Sequence, residues 1–225
     1  MKRRLDESKQ RLWRRSLVKL LICLGVIAVL APGGGARAWA ANPTEELRQY
    51  TDRVLRVLQS PGLSPAARRT AVRDLALEVF DSAESAKRAL GPHWQRLTPA
   101  ERDEFVKLFR DLLEQTYVAR IDEYGGERIR FVGEQVDGDT ATVRARIVTR
   151  TGTEVPVESR MLHKGDRWFI YDVAVENVSL IANYRSQFDR IIRSASYEEL
   201  VKRLKARVEL LMQGKPTRGG EPGEQ

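Results

Sequence analysis

From Pro43 to about Ser60 the apolar residues Leu47, Tyr50, Val54, Val57 and Leu58 return every three or four positions, and the spacing predicts an amphipathic helix. Asn42-Pro43-Thr44-Glu45 supplies its start: a capping side chain, a proline in the first turn and an acid close behind. Ser64-Pro65 opens a second helix with Val72, Leu75, Ala76 and Val79 inward. A third runs from Asp81 through an alanine-rich stretch to Gly91-Pro92. Thr98-Pro99-Ala100-Glu101 opens a fourth, whose broad apolar face carries Phe105, Leu108, Phe109, Leu112, Leu113 and Tyr117. Gly125-Gly126 ends that segment. At Arg128 the period drops to two. Strands are expected near 129–136, 140–150, 155–164 and 168–175, with Asp137-Gly138, Thr151-Gly152 and Gly165-Asp166 at the reversals. Connections this short admit no crossover, so the four strands form an antiparallel meander. In the last strand Phe169, Tyr171, Val173 and Val175 are expected on one face, and Trp168, Ile170 and Asp172 on the other. After Val178 the period turns helical again. Leu180, Ile181, Tyr184 and Phe188 share one face of a helix capped by Ser179 and reaching about Arg193. A last helix, from Ser196 to about Met212, carries the stripe Leu200, Leu204, Val208 and Leu211, with Ser196-Tyr197-Glu198-Glu199 as a capping box. Helices, a meander, then helices make an α+β layer architecture.

Charge changes the picture at the amino terminus. The 225-residue chain has a formal net charge of +8. Nine of its 39 Lys/Arg and only two of its 31 Asp/Glu lie in residues 1–40, so that segment holds seven of those charges and the rest carries +1. A nearly neutral body lacks the clustered basic footprint of a nucleic-acid binder, and no nucleic-acid partner is expected. Residues 1–40 have the form of a cleavable secretory signal peptide: a basic stretch to Lys19, an apolar run from Leu20 to Ala31, and Ala38-Trp39-Ala40 before the expected cleavage site. The apolar run is shorter than the roughly 20 residues that span a bilayer. The only cysteine, Cys23, lies inside it, so the mature chain expected from 41 onward has no thiol chemistry and no disulfide. Residues 41–213 read as a single domain, and 214–225, rich in Gly, Pro and charge, as a disordered tail.

The densest motif is WFIYDVAVENVSLIANYRSQF, residues 168–188. The run W-x-I-Y-D-V-x-V-x-x-V-S-L-I-x-N-Y-R-x-Q-F resembles the MlaC family, also called the toluene-tolerance family: periplasmic phospholipid carriers of Gram-negative bacteria. Weaker similarity extends from about Pro43 to Leu211. One departure is Asn177, where the family usually has Gly; Asn tolerates a left-handed backbone better than most residues. The resemblance implies an NTF2-like fold, in which a curved sheet and the helices enclose an apolar cavity for acyl chains. Phe80, Trp94, Phe105, Phe109, Leu112, Val143, Ala145, Ile147, Met161, Val173, Val175, Tyr184 and Phe188 become candidate lipid-binding residues through the resemblance, whereas periodicity alone reads each as ordinary core. Arg185 becomes a candidate headgroup contact, since a guanidinium suits phosphate. The partners implied are a phospholipid, an outer-membrane lipoprotein–porin complex and an inner-membrane ABC transporter carrying an MCE-domain protein. The location implied is the periplasm.

Catalytic patterns are scarce. His93 and His163 are the only histidines and lack metal-ligand spacing, so no metal or cofactor is expected. Ser179 stands in Val-Ser-Leu, outside any nucleophile-elbow pattern, and reads as a helix cap. Asp172 is an acid in an apolar strand. It reads as the partner of a cation such as Arg185, or of backbone amides; the competing reading makes it the base of an enzyme in an NTF2-like cone. The same pattern also suits a carrier of a different lipid, such as a hopanoid, and a ligandless periplasmic adaptor. The carrier reading assigns no catalytic residue and no covalent chemistry.

Overall fold

The computed structural model describes residues 42–214, so the expected signal peptide, Cys23 and nearly all of the tail lie outside the described residues. Among the described residues, six α-helices and the strands of an antiparallel sheet divide into two compact units interleaved along the chain. Residues 42–80 with 121–177 form the first; residues 81–120 with 178–214 form the second.

The first unit holds α1 (Pro43–Gln59), α2 (Pro65–Val79) and strands β1 (Arg128–Asp137), β2 (Thr140–Val148), β3 (Glu154–Lys164) and β4 (Arg167–Val175). Asn42 and Ser64 cap the two helices through their side chains, each with proline in the first turn. The strands run as a meander, with every neighbour antiparallel. Strand β5 (Val178–Ser179) follows in the chain; two residues are too few to show alternation, which is why the sequence predicts four strands. The two-residue turn before it takes φ 49° at Glu176 and 66° at Asn177. Both central residues are left-handed, as a primed hairpin turn requires. Asn177 tolerates this conformation, whereas at Glu176 the Cβ makes it cost about 1–2 kcal/mol.

The second unit holds α3 (Ser82–Leu90), the 3-10 turn Gly91–Arg96, α4 (Pro99–Tyr117), α5 (Leu180–Ser194) and α6 (Tyr197–Met212). Thr98 and Glu101 complete a reciprocal capping box at α4. At α6 the expected box is only half made. Ser196 Oγ accepts from the Glu199 backbone N–H, but the Glu199 carboxylate turns to Arg203, with Nε–Oε1 2.8 Å. The unit's centre is aromatic. Phe105 and Phe109 stack with centroids 5.9 Å apart, and Phe188 meets both rings edge-on. Tyr184 sets its edge to Phe109 at 5.2 Å.

Candidate functional site

Which side chains face which way is decided by two β-bulges. In β4 the register slips so that Arg160 pairs with Asp172 while Met161 pairs with Ile170, leaving Tyr171 as the extra residue. A one-residue insertion reverses every side chain beyond it. Trp168, Ile170, Val173 and Val175 therefore share one face with Met161, Ser159 and Val157, and Phe169, Asp172 and Ala174 share the other with Leu162, Arg160 and Glu158. This corrects the face assignment that strict alternation gives. In β1 the same device leaves Val132 unpaired and puts Glu134 beside Val143.

The face bearing Met161 is the apolar one, and α1 lies against it. Two carboxylates hold the start of α1. Glu134 of β1 accepts from the Thr44 N–H at 3.1 Å, from the Thr44 hydroxyl and from Asn42 Nδ2. Glu46 of α1 accepts from the Trp168 N–H at 2.8 Å and from Arg167 Nε at 2.9 Å. The free amides at a helix start favour a carboxylate acceptor, so Glu134 stabilises α1 as a cap borrowed from the sheet. Glu134→Ala is expected to cost about 1–2 kcal/mol, read as a lowered urea midpoint at unchanged slope.

Under α1 the core forms two clusters. One joins Leu47, Val79, Val143, Met161, Trp168 and Ile170. The other joins Val54, Leu55, Leu58, Leu75, Ile147 and Val157. Tyr50 and Val173, both half-buried, pack against each of them. Phe131 and Phe80 are half-buried beside the first cluster, and the Arg48 guanidinium stands 4.7 Å from the Phe131 ring centroid. Burial pushes the Tyr50 phenol well above its usual pKa. Small side chains, Ala145 and Ser159, occupy the middle of the sheet face. The result is an apolar surface with small side chains at its middle, half-buried Tyr50 and Val173 beside them, and a cation at its β1 side.

Of the candidate lipid-binding residues, Phe80, Val143, Ala145, Ile147, Met161, Val173 and Val175 come together in this first unit. Phe105, Phe109, Tyr184 and Phe188 come together in the second unit as the buried aromatic centre, where Leu112 is also buried. Trp94 lies in the 3-10 turn under the Arg102 guanidinium, 5.5 Å from the ring centroid. Arg185 is exposed and rests against Gly91, where a Cβ would approach its Nε to 2.8 Å. Gly91 ends α3 with φ 56°, so that seat needs glycine twice over.

Asp172 finds a cation partner in Arg160. It is buried on the sheet face opposite α1, where Arg160 Nη1 donates to its Oδ2 at 2.9 Å. Neighbouring ion pairs on that face, Arg144 with Glu158 and Arg146 with Glu154, mark it as the polar side. Ser179 caps α5 by accepting from the Ala182 N–H at 2.9 Å. His93 Nε2 lies 2.9 Å from Asp189 Oδ1, and this hydrogen bond, with Arg193 beside it, holds the Asp189 carboxyl below its usual range. Among the described residues no group of three or more His, Cys, Asp or Glu side chains could hold a metal ion. Nor is any described helix long and apolar enough to cross a membrane.

Sequence reasoning missed three features. Arg48 and Glu134 look like ordinary surface charges until the fold brings them to Phe131 and Thr44. The third is an open groove of about 460 Å³ between α1 and α2, whose lining includes Arg53, Arg56, Val57, Leu75, Asp74 and Glu78. Arg53 and Glu78 close a bidentate ion pair there, at 2.6 and 3.0 Å. Amphipathic spacing marks both helices but says nothing of the gap between them.

Comparison with known proteins bears on the same elements. The family model described as MlaC protein matches residues 48–206, most of each unit. A relative in Haemophilus influenzae, the "Intermembrane phospholipid transport system binding protein MlaC", is 23% identical over 142 residues, covering 60% of this chain. The match spans 66% of that protein's length, just under two thirds. Among solved structures, a phospholipid-binding protein from Ralstonia solanacearum in complex with a phospholipid aligns with a TM-score of 0.68 at 21% identity. The alignment covers 76% of this chain and 99% of that one, which establishes a shared fold.

Proposed function

The chain belongs to the MlaC protein family, and from that premise we propose that it is a periplasmic phospholipid carrier that performs no covalent chemistry. Acyl chains would lie along the inner sheet face, against Phe80, Val143, Ala145, Met161, Val173 and Val175. The observation that carries this reading is the make-up of that face: half-buried Tyr50, Phe131 and Val173 around the small side chains Ala145 and Ser159, under a helix anchored at its start.

Energetics favour handover over release. Each buried methylene is worth about 0.8 kcal/mol, so a lipid with roughly thirty of them faces about 24 kcal/mol on leaving for water. A carrier therefore exchanges its cargo while docked on membrane complexes. The partners that fit are an outer-membrane lipoprotein–porin complex and an inner-membrane ABC transporter with an MCE-domain protein. The near-balanced transfer takes its direction from ATP hydrolysis in that transporter. Asp172, the residue that the enzyme reading makes its base, pairs instead with Arg160 on the face away from α1.

The test is native mass spectrometry of protein purified from periplasm, followed by organic extraction. A mass increment matching a diacyl phospholipid, released by solvent, is the expected result. Protein that emerges empty, or loaded only with hopanoid, would refute the assignment.

A further inference from the structure

The buried apolar residues under α1 fall into two clusters, and a hydroxyl lies between them on the helix and another on the sheet. On the helix, Leu47 belongs to one cluster and Val54 and Leu55 to the other. Thr51 lies between them on the same buried stripe, four residues after Leu47 and three before Val54. On the sheet, Met161 belongs to the first cluster and Val157 to the second. Ser159 lies between those two on the same face, opposite Val143 of β2 and Val173 of β4. Tyr50 and Val173, the half-buried pair that touches both clusters, flank the same level.

Neither hydroxyl sits where packing alone would place one. Thr51 is 1% exposed, and its Oγ1 has no hydrogen-bond partner among the described residues. A helical threonine ordinarily satisfies itself on the carbonyl four residues back. A buried donor without an acceptor destabilises the fold, and valine would fill nearly the same space without that cost. Ser159, 8% exposed, is the one hydroxyl on an inner β3 face otherwise built from Val155, Val157 and Met161 before His163.

We propose that this seam binds the acyl-ester linkage of a glycerolipid, with the Thr51 and Ser159 hydroxyls donating to ester carbonyl oxygens. The inference rests on the carrier reading above. Neutral donors beside apolar clusters suit a neutral acceptor with a hydrocarbon chain attached, as an ester carbonyl has on its acyl side. A phosphate there would be a buried charge and would need a cation beside it; Thr51, Ser159, Tyr50 and Val173 provide none. In the unliganded fold the Thr51 donor stays unsatisfied, and the ester supplies the missing acceptor.

The experiment sets dioleoyl phosphatidylglycerol against its dialkyl ether counterpart, which lacks both carbonyls, in competition for delipidated protein read by native mass spectrometry. Wild type is expected to prefer the ester lipid roughly 5-fold, the scale of one or two neutral hydrogen bonds. Thr51→Val and Ser159→Ala are each expected to erode that preference, and Thr51→Val to leave the unliganded melting temperature unchanged or raised. Equal loading of ester and ether by wild type overturns the proposal. So does a preference that survives in both variants, which would leave the hydroxyls to ordered water or to structure alone. Failure of either lipid to load would defeat the carrier reading itself, and this inference with it.

Discussion

Phe109→Ala is expected to cost about 3–5 kcal/mol, enough to remove most of the stability of a domain that holds on the order of 5–15. Phe109 is fully buried and touches three other rings: Phe105 in a stack, Tyr184 and Phe188 edge-on. Each such pair adds about 0.5–1.5 kcal/mol beyond the area it covers. Truncation removes all three contacts and leaves a hole that the surrounding helices cannot easily close. Urea unfolding followed by near-ultraviolet circular dichroism should show the midpoint fall steeply with loss of aromatic signal. Phe109→Leu keeps most of the volume and should fall much less. If the alanine variant unfolds within about 1 kcal/mol of wild type, the rings do not carry the second unit.

The helices were legible because each announces its own start. Asn42, Ser64, Asp81, Thr98, Ser179 and Ser196 all cap where their sequences say they should. Hairpin positions were legible for a similar reason, since turn residues are local. The faces of β4 were not. A bulge at Tyr171 obeys the pairing of two strands at once, and no residue in Ile170-Tyr171-Asp172 announces it. From that single slip follows the transfer of Asp172 to Arg160 and the polar side. The division into interleaved units was equally hidden, because periodicity reads segments and not which segments pack together. Thr51 shows the sharpest limit. In a helical pattern it passes for a polar surface position, and only the contacts of Leu47, Val54 and Leu55 reveal that it lies on the buried stripe.

For the apolar face, Ala145→Trp is the decisive substitution, and it is expected to reduce lipid recovered from purified protein at least about tenfold. Ala145 sits on β2 between Val143 of one cluster and Ile147 of the other, opposite Phe131 and Val157. An indole projected from there occupies the surface along which hydrocarbon is proposed to lie, and loss of even two or three buried methylenes weakens retention tenfold or more, at about 0.8 kcal/mol each. Overpacking itself costs about 1–3 kcal/mol, so an empty protein could simply be a damaged one. A graded series removes that ambiguity. Ala145→Val and Ala145→Leu add less bulk and should stay folded while lipid content declines in step with side-chain volume. Melting temperature and extracted phospholipid must therefore be measured on the same samples. A loss of lipid that tracks volume across variants of near-constant melting temperature places the chains on this face. Lipid content that holds steady through the folded members of the series means the cargo lies elsewhere, and the assignment of the sheet surface fails.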